Sequence, residues 1–111
     1  NALGYSLADR KLRLDEAEVL VARALELSPD DPFILDSMGW IHFRRGDVPA
    51  ALKYLERAYG IRPDAEIAAH LGEVLWSVGR REDANRRFDE ALKVHPGSKV
   101  LADTVRRLRA E

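Results

Sequence analysis

The sequence predicts an all-α chain of three helix-turn-helix repeats closed by a capping helix. Three observations carry this: small and helix-breaking residues recur at a fixed interval, the apolar residues between them keep a helical period, and cap residues stand where helices would begin. The recurrence is the most specific of the three. Ala17, Ala51 and Ala84 lie 34 and 33 residues apart, and so do Ala24, Ala58 and Ala91, and Pro29, Pro63 and Pro96, while Gly4, Gly39 and Gly72 follow at 35 and 33. Coincident ladders of this kind define one repeated unit.

Taken in order, the periodicity and caps place helices at 1–9, 14–27, 32–45, 48–60, 65–78, 81–94 and 99–110. They group into a first repeat at 1–31, a second at 32–64, a third at 65–98 and a capping helix at 99–110, all in a single domain. Only three residues precede Gly4, against seven before Gly39 and Gly72 from Pro32 and Ala65, so the first repeat is expected to lack its opening turn. With Asn1 in place of a methionine, the chain reads as a piece of a longer protein. Asp31 before Pro32 is a strong helix start, and Asp47 is placed to cap the helix containing Pro49, whereas Arg80 in the corresponding slot caps nothing. Gly46 and Gly79 close the turns inside the second and third repeats; residues 10–13 make a longer turn in the first.

Each repeated residue has a physical reason. A glycine in an otherwise apolar helix costs about 1 kcal/mol against alanine, and a close backbone approach supplies the reason to keep it. Two alanines seven apart lie on one face of the second helix and let it approach its neighbours. The proline ends the unit. In the last helix Val100, Leu101, Val105 and Leu108 form an apolar stripe, with Arg106, Arg107 and Arg109 on the solvated remainder.

Composition is compatible with this fold and narrows function. Hydrophobic residues make up 46% and charged residues 33% of 111, enough for a packed core burying roughly two-thirds of the unfolded surface. Basic and acidic side chains number 18 and 19, a formal net charge of −1, so no overall field draws the chain to nucleic acid or anionic lipid. The absence of cysteine excludes disulfides, thiolate metal sites and cysteine nucleophiles while leaving the compartment open. The apolar runs are too short for membrane insertion by this stretch, and the opening residues lack the plan of a signal peptide.

The Leu-Gly pairs Leu3-Gly4 and Leu71-Gly72, with Met38-Gly39 between them, the alanine pairs, the large residue between the alanines (Val21, Leu55, Phe88) and the closing prolines resemble the tetratricopeptide repeat family. The resemblance covers essentially the whole chain and implies a right-handed superhelical solenoid. Leu35 and Ala68 replace the family's early aromatic, and Leu7, His42 and Leu75 its later tyrosine. Residues 1–9, 31–46 and 68–79 are further similar to the last repeats of long bacterial tetratricopeptide proteins, some of them outer-membrane lipoproteins of Gram-negative species. That similarity implies a periplasmic scaffold recruiting a protease or another envelope protein, the cytoplasm being the other compartment open to the chain.

In such arrays the first helices line a concave groove. The residues expected there are Tyr5; Asp36, Ser37, Trp40, Phe43 and Arg44; and His70, Glu73 and Trp76. Trp40 and Phe43 share a helix face, and Trp76 occupies Phe43's place one repeat on, which makes an aromatic floor for a partner peptide or helix. The same rings could instead be intramolecular core. The charged residues could be a solvated rim. Family members that clamp the carboxylate ending chaperone tails use a lysine and asparagines where this chain has Asn1, Tyr5, Ser37, Ala69 and His70, which argues against that clamp.

Catalysis and cofactors find no support in the residues. His42, His70 and His95 are 28 and 25 apart, unlike paired zinc ligands, and no phosphate loop or nucleophile motif surrounds Ser37. His42 is expected to take a tyrosine's packing place, and His95 to end a helix. The arginine pairs are interleaved with acids, as on solvated helix faces. The expectation is therefore a non-enzymatic, cofactor-free scaffold or adaptor that binds protein and not nucleic acid. The alternative is a structural module that self-associates through the apolar flank of its truncated N-terminal repeat.

Overall fold

The computed structural model describes residues 13–110, and they are all-α with short connections. In chain order the helices are α1 (Leu14–Leu27), α2 (Pro32–Arg44), α3 (Val48–Ile61), α4 (Ala65–Ser77), α5 (Arg81–Val94) and α6 (Lys99–Arg109). These match the expected elements to within a residue at each end; the helix expected over 1–9, and with it Tyr5 and Gly4, lies outside the described residues.

The boundaries follow from their caps. The Asp31 carboxylate accepts from the backbone N–H of Phe33 and Ile34, at 2.9 and 3.2 Å, and Asp47 accepts from Ala50 at 3.3 Å. Asp64 and Ser98 start α4 and α6 in the same way, accepting from Glu66 and Ile67 and from Leu101. Arg13 and Arg80 supply no side-chain cap to α1 and α5. Both α2 and α4 end in a glycine with positive φ, Gly46 at 84° and Gly79 at 83°. Gly46 and Asp47 donate to the carbonyls of Phe43 and His42, and Gly79 and Arg80 to those of Trp76 and Leu75, which satisfies the last-turn acceptors.

The chain divides into two compact units, residues 1–62 and 63–111. In the first, α2 packs against both α1 and α3, burying Ala17, Val21, Leu35, Met38, Ile41, Ala51, Leu55 and Ala58. In the second, α4 packs against α5 and α6 around Ile67, Leu71, Leu75, Phe88, Leu101 and Leu108. The glycines lie at the tightest points. A Cβ on Gly39 would stand 2.7 Å from Leu55 Cγ and 3.1 Å from the Ala51 carbonyl oxygen; one on Gly72 would stand 2.9 Å from Phe88 Cδ1 and nearer still to Cε1 and Cζ. In the second and third repeats the large residue between the alanines, Leu55 or Phe88, therefore fills the space its glycine leaves open.

Surface ion pairs link helices within each unit. Arg45 holds Asp15 and, at 3.0 Å, Glu18 of α1; Arg107 of α6 holds Glu73 of α4 at 2.6 Å. Such pairs contribute at most about 1 kcal/mol each, so burial carries the packing. On α6 the buried set is Leu101, Thr104, Val105 and Leu108, while Val100, expected in the stripe, is 40% exposed.

Candidate functional site

The residues expected at a binding surface divide by burial. In α2 every residue from Ile34 to Ile41 is buried, including Asp36, Ser37 and Trp40, at 2%, 0% and 7% exposure. The Ser37 hydroxyl donates to the Phe33 carbonyl at 3.1 Å, which satisfies it without solvent. Trp40 presents little surface, and its ring centroid lies 5.1 Å from that of Phe43 at an interplanar angle of 46°. The indole is thus a wall behind Phe43. Phe43 and Arg44 remain half-exposed at the end of α2. The Arg44 Nε–H is enclosed and has no acceptor among the described residues. A buried unmet donor costs about 1–3 kcal/mol until something accepts from it.

On α4, His70, Glu73 and Trp76 are half-exposed. Burial of the His70 ring pushes its pKa down to about 4, although part of the residue still touches solvent. Glu73 is engaged by Arg107, so its charge is already met. The Arg81 guanidinium lies 4.7 Å from the Trp76 ring centroid, within cation-π range, while the indole N–H is enclosed without an acceptor among the described residues. At the start of the same helix burial raises the Glu66 pKa, with the Asp64 charge adding to the shift.

Two features were not anticipated from sequence. Arg62 places its guanidinium 5.6 Å from the centroid of Phe33, itself 40% exposed. On α6, Lys99, Val100, Asp103, Thr104 and Arg107 line a shallow cleft of about 510 Å³. The signal for the cleft was available: 99, 103 and 107 recur every four residues, a charged row flanking Val100 and Thr104.

The histidines outside these clusters have packing roles. His42 stacks on Tyr54 at 5.5 Å with planes 7° apart, and His95 Nε2 lies 3.2 Å from the Pro63 carbonyl oxygen. Among the described residues no group of three His, Cys, Asp or Glu could hold a metal ion, and no helix is long and apolar enough to cross a membrane. Ser37, enclosed and committed to a carbonyl, cannot meet a substrate. The accessible chemistry is half-exposed aromatic surface, which suits binding.

Glycine-coupled helix pairs, Schellman-type turns and a repeating alanine face define a helical-repeat protein. Residues 6–66, more than half of the chain, match the family model for the tetratricopeptide repeat, and the chain belongs to that family. It is 58% identical over 73 residues to a TPR repeat-containing protein of Pseudomonas aeruginosa, an alignment covering 66% of this chain and 12% of that protein. It is 36% identical over 96 residues to tetratricopeptide repeat protein 7A of Homo sapiens, covering 86% and 11%. The chain therefore spans about an eighth or less of these relatives. Among solved structures, a thermophilic TPR protein of Thermus thermophilus superposes with a TM-score of 0.78 at 23% identity, covering 90% of this chain and 50% of that one. The first TPR of Spaghetti bound to an HSP90 peptide superposes with a TM-score of 0.77 at 13% identity, covering 98% and 90%. At these identities the likeness is one of fold.

Proposed function

We propose that the chain is a protein-interaction scaffold, a single domain of three repeats and a cap that takes a partner's peptide or helix on the faces of its first helices. The observation that carries this is the same on α2 and α4: an aromatic ring, Phe43 on one and Trp76 on the other, lies half-exposed in the last turn of the helix. Such rings would supply a partner with apolar contact. The structure of Spaghetti with an HSP90 peptide supports the reading at the level of fold. A chaperone-tail clamp remains disfavoured, because Ser37 and Ala69, in two of its slots, are buried.

Selection of displayed random peptides on the purified chain tests the scaffold, with titrations read by tryptophan fluorescence. Phe43→Ala and Trp76→Ala are the informative variants, since truncating the buried Trp40 would unfold rather than unbind. Both variants should keep the wild-type circular dichroism and bind selected peptides at least about tenfold more weakly. Enrichment no better than on an unrelated helical protein, or unchanged affinity in both variants, overturns the reading.

Self-association has its own observation: Val19, Leu20 and Leu27 on α1 are 68%, 45% and 82% exposed. Ultracentrifugation giving a monomer at high concentration would remove it.

A further inference from the structure

We propose that the cleft on α6 receives α5 of a second copy of this chain, a contact that involves neither α1 nor the peptide-binding reading above. Lys99, Asp103 and Arg107 stand every four residues along the cleft, a row of charges that reads plus, minus, plus beside Val100 and Thr104. On α5, Glu82, Arg86 and Glu90 stand at the same spacing and read minus, plus, minus. All three are exposed, on the side of α5 away from Ala84, Phe88 and Ala91, which pack inward. Within one copy the rows do not meet, because α5 reaches α6 through Asn85 and Asp89, both approached by Arg109. Lys99 and Glu82 have no ion pair among the described residues. The complement to the cleft is thus carried by the chain itself, and a second copy brings it.

The charges also select a direction. With the two helices parallel and Lys99 level with Glu82, Asp103 meets Arg86, Arg106 meets Asp89 and Arg107 meets Glu90, and no like charges are level. The antiparallel alignment of the same rows sets Arg109 against Arg80. Lys99 opens α6, whose first turn holds no acid, so the backbone N–H groups there add to its attraction for Glu82. The methylene stems of the α5 row would cover Val100, 40% exposed, and Thr104. Competing contacts are weak: Arg86 lies 3.2 Å from Asp83, Glu90 lies 3.3 Å from Arg87, and Arg106 holds Asp103. Exposed pairs within one helix contribute about 0.5 kcal/mol or less, so exchanging them costs little. Arg107 keeps Glu73, and a guanidinium can hold a second carboxylate. Two helices meeting over a few turns bury less than the roughly 1,200 Å² of a standard interface, so the association is weak, with charge setting its register.

The test follows the whole chain by sedimentation velocity from low micromolar to millimolar concentration. It compares wild type with Lys99→Glu, and with Lys99→Glu combined in turn with Glu82→Lys and with Glu90→Lys. Lys99→Glu places an acid at a helix start, which favours α6, and thermal transitions check that every variant folds. Wild type should associate reversibly, and high salt should reverse it. Lys99→Glu should weaken association roughly tenfold, and adding Glu82→Lys should restore it to within about threefold of wild type. Restoration by Glu90→Lys instead reverses the direction of the helix and supports the same contact. A wild type that stays monomeric throughout, or a Lys99→Glu loss that neither second change restores, overturns the proposal. So does association that Leu27→Glu, at the exposed end of α1, abolishes while Lys99→Glu leaves it intact. The peptide-binding reading stands in each of these cases.

Discussion

Replacing Gly72 by alanine probes the closest of the glycine contacts among the described residues. In a free helix the change stabilises by about 1 kcal/mol, because alanine is the better helix former. Here the new methyl would stand 2.9 Å from Phe88 Cδ1 and closer to two other ring atoms, well inside carbon-carbon contact distance. The ring cannot swing away, since Phe88 is wholly buried, and interiors at crystal-like density have no empty space to receive it. Either α4 and α5 separate or Phe88 leaves its rotamer. Overpacking of this kind costs up to about 3 kcal/mol, leaving a net destabilisation of about 2 kcal/mol. Urea unfolding followed by far-ultraviolet circular dichroism measures it directly, and a thermal scan should place the midpoint about 8 °C lower. Shortening the ring in the same background separates steric conflict from any effect on the unfolded chain. Gly72→Ala with Phe88→Leu should lose about 1–2 kcal/mol less than the sum of the two single changes. A Gly72→Ala protein as stable as wild type, or more so, would refute the claim that this glycine exists to admit Phe88.

Three further outcomes are expected. Asp64→Ala should cost about 1 kcal/mol through the lost cap of α4, while Arg80→Ala, which removes no cap, should stay within about 0.5 kcal/mol in the same urea assay. His70 binds its proton less tightly in the folded state, so unfolding takes up a proton between the ordinary histidine pKa and about 4. Stability should accordingly fall as pH falls through that window, by at most about 3 kcal/mol, and an equal fall in His70→Gln would contradict this. Arg107→Gln should cost less than about 1 kcal/mol at low salt and nearly nothing in 1 M salt, as denaturation at the two ionic strengths would register, because the Glu73 pair is half-exposed.

How far the sequence could be read depended on whether a feature is set locally. Asp31 and Asp47 cap as expected because a cap needs only its own residue and the next three. Gly39 and Gly72 announced close packing because glycine inside an apolar helix is otherwise a cost, and Leu55 and Phe88 meet them. The binding surface is another matter. Trp40, Asp36 and Ser37 were expected to face a groove because they lie off the packing stripe, a rule that holds only when a helix is covered on one side. Over Ile34–Ile41 α2 is covered on all sides, so helical period carries no information about exposure there. Polarity misleads for the same reason, since the Ser37 hydroxyl is satisfied by a carbonyl one turn back and needs no solvent.

What the structure adds is therefore a change in which residues can be asked to bind. Period and residue type nominate Trp40 as an anchor, yet a ring 7% exposed has little surface left to bury, and its remaining contribution is to shape the space around Phe43 and Arg44. On the proposed scaffold reading, affinity would then rest on Phe43 and Trp76, which are half-exposed and still have apolar surface to lose on contact. Partners would for that reason be discriminated by whether they set an apolar side chain against these rings, and one that does not should bind Phe43→Ala and Trp76→Ala as well as it binds wild type.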